Sequence, residues 1–212
     1  MYLFLLLFLP SLLALYFVYT KNSKLILAVL IGIISAALLC AYKGFISYMH
    51  RVVPYSFMEN FLVYFFQETF IPILVLCGIY FFLSKDEISF KIDSFFPMMG
   101  SFYAIYIPFL TLCLSKANTT PFVLFVKPCL YGMMLIQCYV SFLLVLKYKE
   151  EKNVLRIITS VLIILISILL PAVAESLYII NNKIGLSFLI CLISILLTGL
   201  YIIVNRKVFR EQ

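Results

Sequence analysis

Long apolar runs separated by short polar joints make up the sequence. Seven runs qualify as spanning helices, near 2–20, 25–49, 58–83, 95–115, 122–146, 155–180 and 184–204. Each is close to the roughly 20 residues a helix needs to cross a bilayer. The joints hold Lys21 to Lys24, Ser84 to Asp93, Lys116 to Thr120, Lys147 to Asn153, and Asn181 to Lys183. The runs lack the apolar–polar alternation of barrel strands. Backbone in lipid must satisfy its own hydrogen bonds, which leaves helices. The expected fold is therefore all-α: one domain over 1–212, built as a bundle of seven transmembrane helices.

Composition narrows this further. Hydrophobic residues make up 65% of the 212 and charged residues 12%. A soluble domain carries roughly twice that charged fraction. So much apolar sequence cannot be hidden in one small core, because a chain this size keeps a large solvent-facing surface. A water-soluble globule, a disordered chain and a collagen-like fibre are all excluded. The first run, Tyr2 to Thr20, has no basic residues before it and no small-residue cleavage pattern after it. It reads as a retained span and not as a signal peptide.

The net charge of +7 is best explained by orientation. Lys and Arg are scattered at span ends, so no nucleic-acid partner is expected. On a seven-span threading, eleven of them share the face of 21–24, 84–93, 147–156 and the C-terminal tail, against five on the other. The positive-inside rule then puts the N-terminus outside and the C-terminus in the cytoplasm of a multi-pass protein of the cell membrane. The loops 84–93 and 147–153 face the cytoplasm on this threading. They are candidate docking sites for a cytoplasmic ATPase, beside lipid and other membrane subunits as partners.

Little conventional chemistry is visible. The six cysteines lie inside apolar runs without a Cys-x-x-Cys pair, and His50 is the one histidine. Neither a metal nor a cofactor is expected. There is no Gly-x-Gly-x-x-Gly or Walker sequence.

What stands out is polarity inside the spans. Pro10, Pro72, Pro108, Pro128 and Pro171 fall in the outer half or near the midplane on this threading. Each removes a backbone donor and bends its helix. Glu68, Lys127 and Glu175 fall in the same half, with Gln67 beside Glu68 and with Glu59 and His50 at the rim. A charge at the bilayer centre costs about 2.5–3.5 kcal/mol on insertion scales, so such residues face the bundle interior and pair. This expectation gives a candidate binding cluster in an outward-facing polar cavity, closed near Cys77 and Gly78 by apolar packing.

The functional expectation is a protein of the transport class. It either binds a small solute in that cavity or serves as membrane subunit of a larger transporter. The alternative is a non-transporting scaffold subunit whose charges only pair. A third reading, an intramembrane enzyme using Glu68 and Glu175, has no nucleophile or histidine motif behind it.

Overall fold

A computed structural model of the chain describes residues 25–49, 56–84, 94–110, 120–181 and 184–204. Among these residues there are helices and no strands. In chain order they are α1 (Leu25–Met49), α2 (Phe57–Tyr64), a first π-helical segment (Phe65–Phe70), α3 (Ile71–Ser84) and α4 (Phe95–Phe109). A second π segment (Phe122–Val126), α5 (Lys127–Glu150), α6 (Val154–Asn181) and α7 (Ile184–Val204) follow.

Among the described residues four stretches are long and apolar enough to cross a membrane: Ile26–Phe45, Phe57–Phe82, Phe122–Lys149 and Val154–Ile180. The chain is thus a multi-pass membrane protein by length and composition, with four of the seven expected spans found among these residues. The apolar stretches Phe95–Phe109 and Phe188–Ile203 are shorter, the second lying within α7, whose 21 residues match the expected run 184–204. The run 2–20 lies outside the described residues, as do 111–119, which completed the expected span 95–115.

Burial is arranged as lipid demands. Leu38, Phe82 and Leu155 are 68–75% exposed. The interior meanwhile holds Glu68, Lys127, Glu175 and several serines. Most side chains of α4 are buried, so this short helix lies inside the bundle.

Helices in lipid gain little from hydrophobic exclusion and associate through close packing and polar contacts. Both occur here. Ala28, Gly32, Ala36 and Cys40 recur every fourth residue of α1, and all four are buried. That stripe packs along α4. A Cβ on Gly32 would collide with Ser101 Oγ and Met98 O, while Gly44 lies against the Phe109 ring. The two helices therefore run parallel at a separation that only small residues permit.

The polar contacts join α5, α6 and α7. Gln137 Nε2 donates to Thr198 Oγ1 at 2.6 Å, and Gln137 Oε1 accepts from Ser167 Oγ at 2.6 Å. Further along α5, Ser141 Oγ and Tyr201 Oη lie 3.2 Å apart and share a hydrogen bond. This neutral ladder occupies the half of the bundle that the sequence reading left to apolar packing. Hydroxyls and one amide are cheap enough in lipid to hide inside apolar runs, so charge counting passes over them.

Candidate functional site

The site begins with two prolines. Pro72 follows Ile71, whose N–H reaches back five residues to Phe66 O. Pro128 follows Lys127, whose N–H reaches back five residues to Phe122 O. In both helices the turn ahead of the proline has widened to the π register. A proline has no N–H to offer and its ring presses on the carbonyl one turn back, so the preceding turn swells.

At Pro72 the missing donor would have served Glu68 O in the α register or Gln67 O in the π register. Side chains from α4 replace it. Tyr106 Oη donates to Gln67 O at 2.9 Å, and Tyr103 Oη donates to Glu68 O at 3.3 Å, with a longer contact of 3.5 Å to Thr69 O. Two buried tyrosines thus stabilise the widened turn that carries Glu68.

Three charges converge there. Lys127 Nζ lies 2.7 Å from Glu68 Oε2 and 2.7 Å from Glu175 Oε1. One ammonium at the start of α5 therefore bridges a carboxylate on the first π segment and another on α6, one turn beyond Pro171. All three residues are buried, at 6–7% exposure. Tyr131 Oη donates to Glu68 Oε2 at 3.1 Å. Tyr131 stacks on Tyr103 at 5.4 Å, and Lys127 Nζ sits 5.8 Å from the centroid of the Tyr64 ring. Glu175 Oε2 is fully buried and receives no donor, and the Glu175 carboxyl group lies within hydrogen-bonding reach of that of Glu68.

Lys43 of α1 approaches without joining the bridge. Its Nζ lies over the Tyr106 ring at 5.1 Å, and its charge acts on Glu68 and Glu175 through space. By direct contact the cluster holds two carboxylates and one ammonium; Lys43 supplies the compensating field.

The sequence-predicted residues divide. Glu68, Lys127 and Glu175 come together. Gln67 does not: its side chain is exposed, and only its carbonyl takes part, through Tyr106. Glu59 is exposed and spent on a capping box at the start of α2, where Ser56 N donates to Glu59 Oε2 and Glu59 N to Ser56 Oγ. His50 lies outside the described residues. The expected closure near Cys77 and Gly78 is also displaced, because Cys77 lines an apolar cavity. Sequence reasoning missed Tyr64, Tyr103, Tyr106 and Tyr131. Tyrosines 103 and 106 stand one turn apart on α4, but nothing in the order of residues says which helix they face.

The fold and site thus define a helical, multi-pass membrane protein with a buried three-charge cluster. Compared with known families, curated proteins and solved structures, the chain gives no match.

Proposed function

We propose that this is an integral membrane protein of the transport class, acting alone or as membrane subunit of a larger transporter, and that it handles a proton or small cation at Glu68–Lys127–Glu175. The observation that carries this reading is the unequal contact charge: two carboxylates share one ammonium, and Glu175 Oε2 is left without a donor. A cluster meant only for packing gains most from matched charges with every lone pair satisfied, since an unsatisfied buried oxygen costs free energy. A vacant acceptor beside a lysine held by salt bridges is instead suited to taking up one positive charge and releasing it. The π segments add to the argument, because such turns occur often at functional sites.

The scaffold reading has its own support, in the low exposure of all three residues and the short distances to Lys127. One experiment separates the two. The full chain is reconstituted into vesicles, and an entrapped pH dye follows the response to imposed proton, sodium and potassium gradients. The expected result is an ion flux that is lost in Glu175→Gln while the variant keeps its size-exclusion profile. No flux from wild type under any gradient, or an unaltered flux in Glu175→Gln, leaves the scaffold reading in its place.

A further inference from the structure

A second feature lies away from the charges. A cavity of about 580 Å³ is enclosed by α3, α4, α5 and α6. Its floor is buried: Phe96, Met99 and Cys138 are 3–6% exposed. Its rim is open: Phe81 is 66% exposed, and Cys77, Phe142, Ile164 and Ile168 are half-buried. Among the described residues the lining has no charged side chain, and Tyr80 brings a phenol. The volume is within the range of about 300–1,000 Å³ typical of small-molecule sites.

The opening has a structural cause. α2 and the first π segment pack closely against α6, and α3, beyond Pro72, approaches it less closely. The helices diverge, and α4 and α5 form the back wall. Phe96 is fixed edge-on to Tyr139 at 5.2 Å and tilted against Phe142 at 5.3 Å, so the wall is built of interlocked rings. Apolar exposed surface continues outward from the rim through Phe81 and Phe82. The mouth is thus continuous with the lipid-facing surface of a spanning helix.

We infer that this cavity binds a single alkyl chain that enters sideways from the bilayer between α3 and α6. So apolar a lining, with one phenol and no charge among its described residues, offers little to a polar solute and makes hydrocarbon the matching ligand chemistry. The inference is independent of the ion-handling proposal, because none of Glu68, Lys127 and Glu175 lines the cavity.

Photo-crosslinking tests it. The full chain is reconstituted in phosphatidylcholine vesicles, with either a diazirine-bearing acyl chain on the phospholipid or a diazirine fatty acid, and adducts are mapped by mass spectrometry. Labelling of Met99 and Cys138 is expected in at least one arm, and the arm identifies the source of the chain. Both residues are too buried for lipid at the outer surface to reach. Ile168→Phe, which puts a ring at the mouth and narrows it, should weaken that labelling and leave labelling of exposed Phe82 unchanged. Adducts confined to exposed residues, or Met99 labelling undiminished by Ile168→Phe in a folded protein, would each overturn the inference.

Discussion

The bundle has two polar regions that solve the same problem with different chemistry. One surrounds Lys127, near the start of α5, and uses full charges. The other surrounds Gln137, nearly three turns further along α5, and uses an amide and hydroxyls. Both join α5 to α6, yet they differ in completeness. Gln137 has its amide donating and its carbonyl accepting, so the neutral ladder closes on itself. The charged cluster ends with Glu175 Oε2 open. A closed neutral network holds helices together; an open charged one holds them and retains a capacity to bind. The backbone repeats the contrast, since the widened π turns lie at the charged level.

The largest effect should come from removing the shared cation. Lys127→Met leaves two carboxylates facing each other in a buried site. Breaking a buried pair in this way costs about 3–5 kcal/mol, read as a marked fall in the thermal unfolding midpoint in detergent. Neutralising all three in Glu68→Gln/Lys127→Met/Glu175→Gln should recover most of that stability while abolishing ion flux. A triple variant as unstable as Lys127→Met would show that the charges serve packing, and the contrast between the two regions would collapse.

A smaller effect is expected at the neutral level. Gln137→Leu removes bonds to two neighbouring helices, yet polar contacts between membrane helices average only about 0.6 kcal/mol and reach ~1.7. Its unfolding midpoint should fall modestly, with ion flux retained. Loss of flux in a stable Gln137→Leu would extend the functional site through the ladder.

The smallest expected change is Tyr106→Phe. It deletes one hydroxyl, the donor to Gln67 O, and a typical hydrogen bond contributes about 0.5–1.5 kcal/mol. Its sharper consequence is positional, because that bond supports the turn carrying Glu68. Ion flux should fall more than stability does. Equal flux in wild type and Tyr106→Phe would mean that Pro72 and the remaining tyrosine hold the turn unaided.

Much of this was legible in the order of residues. Apolar run length alone predicted α1, the helix from Phe57 to Ser84, α5, α6 and α7, since a membrane segment must be long, apolar and helical. The prolines and intramembrane charges singled out Glu68, Lys127 and Glu175 on the cost of burying charge in lipid. The small-residue stripe from Ala28 to Cys40 is a period of four in the sequence, but it holds no charge, so the cost of burying charge does not point to it. Hydropathy measures apolar character and not depth, so it did not show that the described part of the run 95–115, α4, is buried among other helices.

The sequence by itself therefore determined what depends on single residues and their spacing: helical character, membrane residence, and which charges need partners. Only the tertiary structure decided which partners they find. That one lysine serves two glutamates, that α4 tyrosines replace the donor lost at Pro72, and that α3 approaches α6 less closely and opens an apolar cavity all depend on the rotation and neighbours of each helix. Those follow from close packing between helices, a property of pairs of surfaces that no single helix carries along its length.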